Sequence, residues 1–99
     1  MNYPALLSSL TKISLLVDRA SQTALRTAQL EELRTSVESL EWWPLGDPAF
    51  ERARRLAACV HVSGVLSTPS KRPTLPEQIL SDCHFLIGSL GTRMQDSST

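Results

Sequence analysis

Cys59, His61, Cys83 and His84 are the thiol and imidazole side chains of this sequence. A structural zinc site needs four such ligands converging on a tetrahedron. On a helix, positions 59 and 61 point about 200° apart and positions 83 and 84 about 100° apart. Neither pair chelates from one face, and zinc motifs use wider spacings. The cysteines therefore read as small hydrophobes that fill a core, with no metal and no cofactor expected. A disulfide between Cys59 and Cys83 is conceivable across facing helices, but the cytoplasmic location expected for this chain disfavours it.

Nucleophilic catalysis needs a Ser or Cys, a base and an orienting group held together. The serines here sit in no Gly-flanked elbow, and the two histidines fall on different predicted helices. Glu31, Glu32, Glu38 and Glu41 read as the solvated side of a helix rather than as a paired acid and base. The four glycines are isolated, so no loop can cradle a phosphate. No catalytic residue is assigned, and the chain reads as a non-enzyme.

Arg52, Arg54 and Arg55 form the densest basic cluster, followed by Lys71 and Arg72. Helix–turn–helix readers use a turn of about three or four residues, shorter than the Pro-containing connector here. Glu51 adjoins the three arginines, and ten basic residues balance ten acidic ones, for a net charge of 0. A polyphosphate backbone gains no long-range attraction from such a chain. A solvated, salt-bridged face is the simpler account of the cluster. DNA-binding regulation through Arg52, Arg54 and Arg55 is the alternative function.

Trp42 and Trp43 carry a different signal. Adjacent residues at a helix end cannot both point inward easily. One is expected to close the core, leaving the other for a partner, since Trp is a frequent interface anchor.

The elements that position these residues follow from periodicity. Residues 5–40 contain no Gly and no Pro, and Leu6, Leu10, Ile13, Val17, Ala20 and Ala24 recur at steps of four and three. This is an amphipathic stripe. It resumes at Leu30, Leu33, Val37 and Leu40 with its phase slipped by one residue. The spacing predicts one long helix over 4–41, straight or bent. A break near residue 21, where Ser21-Gln22-Thr23 gives a weak cap signal, is the alternative. Pro44 and Gly46 end the helix in a connector over 42–47. Asp47-Pro48 then starts a helix over 48–65. A loop over 67–74 precedes Thr74-Leu75-Pro76-Glu77, a capping-box pattern, and a third helix over 75–94. Gly88 and Gly91 weaken that helix or permit close helix approach, and the tail over 95–99 should fray.

The fold class is thus all-α in a single domain over 1–99. It is a three-helix arrangement, becoming four if the first helix breaks. Apolar residues make up 41% of the chain, within the globular range. No apolar run approaches the length of a membrane span, and no signal peptide is visible. A 36-residue rod would display more apolar surface than two shorter helices can cover. The expected function follows from that surplus: a bacterial, cytoplasmic regulatory adaptor or inhibitor, of the anti-activator, chaperone or immunity type. It would bind another protein, and pair with itself as a homodimer, through Leu10, Ile13, Val17, Trp42 and Trp43.

Overall fold

The computed structural model describes residues 3–67 and 72–98, with side chains as far as Met94. The described residues contain four α-helices and no strand: α1 (Tyr3–Ala20), α2 (Thr27–Glu38), α3 (Phe50–Ser63) and α4 (Pro76–Ser98). A short 3-10 turn over Ser39–Trp42 extends α2.

The continuous first helix expected over 4–41 is replaced by two. α1 stops at Ala20, where the Ser21 hydroxyl donates to the Asp18 carbonyl at 2.6 Å. Backbone N–H groups of Gln22 and Thr23 donate back to Arg19, which closes the last turn. α2 then starts afresh at Thr27, with the Gln29 side-chain oxygen accepting the Arg26 N–H at 2.9 Å, one half of a capping box. The one-residue phase slip is the physical reason. A straight helix would rotate Leu30, Leu33 and Val37 away from the face carrying Leu10, Ile13 and Val17. A break lets both sets enter one core. Ala24, assigned to the first stripe, is exposed in the turn, and Leu25 is buried in its place.

Consecutive helices are neighbours and α4 closes against α1, whereas the diagonal pairs α1/α3 and α2/α4 stay apart among the described residues. This is the connectivity expected of a four-helix bundle with short links. Leu10, Ile13, Leu33, Leu56, Ile79, Leu86 and Leu90 fill its centre. Polar links seam the outside. Ser39 Oγ donates to Ser9 Oγ at 2.6 Å, tying the 3-10 turn to α1. An Arg34 guanidinium nitrogen donates to the Leu66 carbonyl at 3.0 Å, tying α2 to the segment after α3.

α3 begins at Phe50, two residues after Pro48, because Pro48 and Ala49 form a turn first. It ends at Ser63 rather than near 65. Gly64 takes φ 80°, the left-handed conformation of a helix C-cap, and its N–H donates to the His61 carbonyl at 3.1 Å. α4 runs on to Ser98, past the expected end at Met94 and through much of the segment expected to fray. Most of the predicted 67–74 loop, residues 68–71, lies outside the described residues.

Gly88 and Gly91 do not mark a close helix approach. A Cβ built on either one meets nothing within 4 Å. Their only energetic effect is then the backbone entropy of glycine in a helix. Gly88→Ala should raise stability by about 0.5–1 kcal/mol, whereas Gly64→Ala should lower it by about 1–2 kcal/mol because of its positive φ. Chemical denaturation of the two variants checks both signs.

Candidate functional site

The break between α1 and α2 decides which expected contact residues remain available. Leu10, Ile13 and Val17 are completely buried within one copy of the chain, because α2 and α4 cover the stripe that a rod would have left bare. Trp43 is 2% exposed and joins the same core, whereas Trp42 is 83% exposed. Of the five expected partner contacts, only Trp42 lies at the surface. Leu45 is 82% exposed, three residues further along the same connector. Leu15 on α1, Val62 on α3, Phe85 on α4 and Leu75 just before α4 are also exposed. Scattered apolar residues of that kind are ordinary on protein surfaces.

The connector carrying Trp42 and Leu45 is held from both ends. At its start, Trp43 closes the 3-10 turn by donating its N–H to the Leu40 carbonyl at 3.1 Å, and its ring packs into the core. Its indole Nε1 is buried and finds no acceptor among the described residues. Hydrophobic burial therefore holds this ring in place without help from its N–H. At the other end, Asp47 makes four contacts, one of them through its carbonyl, which accepts the Phe50 N–H at 3.0 Å. The Asp47 N–H donates to the Pro44 carbonyl at 3.2 Å, Oδ1 accepts the Ala49 N–H at 2.7 Å, and Oδ2 pairs with Arg93 of α4 at 2.9 Å. The Asp47 side chain is only 4% exposed, so losing Arg93 would leave a buried carboxylate without its partner. Leu45 lies between these two anchors and Trp42 immediately precedes the first, so both reach solvent from a braced backbone.

The three arginines of the alternative reading all lie on α3, but each is engaged differently. Arg55 donates through Nε at 3.3 Å and Nη2 at 2.7 Å to the two oxygens of Asp82 on α4. The Asp82 side chain is 2% exposed, and the hydrogen bond and charge of that carboxylate raise the Arg55 pKa above its ordinary value. The Arg52 guanidinium stacks on the Phe85 ring, 4.0 Å from its centroid, and Arg54 lies 5.6 Å from that of Phe50. Arg72 donates to the Gln22 carbonyl at 3.3 Å, and its neighbour Lys71 lies outside the described residues. These contacts turn Arg52 and Arg55 towards α4, while Arg54 lines a separate hollow beside Leu40 and Glu41. Sequence spacing could not show the pairing of Arg55 with Asp82, which spans 27 residues.

Glu31, Glu32, Glu38 and Glu41 are all exposed. Glu31 pairs with Arg34 at 2.6 Å and Glu32 with Lys12 at 3.8 Å. Among the described residues no group of three or more His, Cys, Asp and Glu side chains converges as a metal site. His61 and His84 are exposed, and both cysteines are free thiols, Cys83 buried and Cys59 half-buried. No described helix is long and apolar enough to cross a membrane.

The chain matches no known family model, no curated protein and no solved structure.

Burial raises the Cys83 thiol from its ordinary 9.0 to about 12, with the negative charge of Asp82 adding to the effect. Once unfolded, this thiol ionises near its ordinary value; folded, it resists. Its contribution to stability is therefore complete below pH 9.0 and is lost as pH rises from there towards about 12. Unfolding curves across that range should show a decline in the wild type that Cys83→Ala reduces. At pH 9 an alkylating reagent should modify Cys59 well before Cys83.

Proposed function

We propose that this chain is a small protein–protein interaction module, an adaptor or inhibitor that acts by seating its Trp42–Leu45 connector in an apolar groove of a partner protein. The observation that carries this reading is the 83% exposure of Trp42 on a turn braced by Trp43 and Asp47. Leaving an indole in water forgoes roughly 3–5 kcal/mol of burial free energy. The adjacent Trp43 is packed away in the same bundle, so the core does have room for one indole. An apolar side chain left outside on a rigid support is how interface anchors are presented. Bracing matters because a turn ordered in advance loses less entropy on binding.

The proposed contact is therefore the connector instead of the α1 stripe. The expected homodimer rested on surplus apolar area along a continuous rod, and that area is inside the bundle. A partner of different sequence fits the remaining surface better, because two residues on one turn offer little area for a stable self-pair. The arginines weigh towards a protein partner over a nucleic acid. Arg55 is held by Asp82, and Arg52 and Arg54 lean on aromatic rings.

Sedimentation and cross-linking capture test the proposal together. The isolated chain should sediment as a monomer. Cross-linking in the native cell should recover a defined partner that the double variant Trp42→Ala, Leu45→Ser loses. Both positions are exposed, so the variant's melting curve should stay within about 0.5 kcal/mol of wild type. Capture unaffected by the double substitution would refute the proposal.

A further inference from the structure

A second surface lies beside the connector. A groove of about 500 Å³ opens between the start of α3 and the middle of α4, and three arginines line it: Arg52, Arg55 and Arg93. Phe85 lies among them, half exposed, with the Arg52 guanidinium stacked on its face. Pro48 and Ala49, just before the first turn of α3, line the same groove.

The charges are arranged for short-range recognition. Asp82 behind Arg55 and Asp47 behind Arg93 are buried carboxylates that do not line the groove, whereas the exposed Glu51 does, so three arginines face one carboxylate in the lining. They orient the two guanidiniums without using all of their donors. Each arginine has five N–H groups. Asp82 engages Nε and Nη2 of Arg55, leaving Nη1, and Asp47 engages Nη1 of Arg93, leaving Nε and Nη2. Arg52 forms no salt bridge among the described residues. At a distance, Asp47, Asp82 and Glu51 cancel the field of the three arginines. A polyphosphate chain, which depends on that field, gains little here. A single carboxylate placed in the groove meets several fixed donors, the geometry in which guanidinium–carboxylate pairing is strongest.

We infer that this groove binds a short acidic–apolar segment of a partner protein, with a carboxylate held by Arg52 and by the free donors of Arg55 and Arg93, and a neighbouring apolar side chain laid on Phe85. The groove is open, so a small carboxylic acid would stay largely in water. A peptide gains further contact along the rim, at Pro48 and Ala49 on one side and Ser89 on the other. The inference rests on reading the chain as a protein-binding module but uses residues other than Trp42 and Leu45.

The test is an NMR titration of the full chain with an N-acetylated, C-amidated octapeptide of alternating Glu and Leu. Shift changes should centre on Arg52, Phe85 and Arg93. The peptide with Gln in place of Glu should bind at least tenfold more weakly, and so should the Glu peptide to the Arg52→Glu variant, whose mutated side chain has no ion pair to lose. The Trp42→Ala, Leu45→Ser variant should bind the octapeptide as wild type does, which separates this inference from the connector proposal. Any of these results would overturn it: no shifts at millimolar peptide, equal binding of the Gln peptide, an unaffected Arg52→Glu variant, or tighter binding of an oligothymidylate. Self-association abolished by Arg52→Glu would instead assign the groove to a second copy, and would equally overturn it.

Discussion

The chain folds back on itself between Ala20 and Thr27, and the rest of the structure depends on that reversal. Without it, residues 3–42 would form a rod whose two apolar stripes face different directions. With it, α2 lies along α1, and Leu33 and Val37 meet the core that Leu10, Ile13 and Val17 begin. The cost is a few unpaired backbone groups at two new helix ends. Ser21, Gln29 and the turn over Arg19–Thr23 satisfy several of these locally. Burying several large apolar side chains, at roughly 1.5–3 kcal/mol each, outweighs a handful of imperfect caps.

Closure of the bundle in turn defines the surface. Once the α1 stripe is covered, the largest exposed apolar side chain is Trp42. It sits on a connector that cannot relax into the core, because Trp43 occupies the inside position and Asp47 is held by Arg93. The Asp47–Arg93 pair also sets one edge of the arginine-lined groove. Two candidate contact surfaces are thus braced by one buried carboxylate.

The helical class was plain in the sequence, because apolar residues recur at steps of three and four along most of the chain. The break in the first helix was legible as a phase slip and a weak cap signal at Ser21. Local propensity nevertheless favoured continuity, since residues 5–40 hold no Gly or Pro. Burial settled the matter, and burial is a property of the whole fold. The opposite fates of Trp42 and Trp43 follow from adjacency at a helix end, although which one turns inward does not. The ties from Arg55 to Asp82 and from Arg93 to Asp47 join separate elements, and no local pattern announces them. Gly88 and Gly91 show the limit of reading glycine as a packing signal, because the space beside each is open.

Acrylamide quenching of tryptophan fluorescence, compared between the wild type and Trp42→Phe, reads most directly whether the bundle closes on Trp43 and leaves Trp42 outside. Wild type should show one readily quenched and one shielded component, and the substitution should remove only the accessible one. If the accessible component persists after Trp42 is replaced, the core does not hold Trp43, and the surface assigned to the connector is wrong.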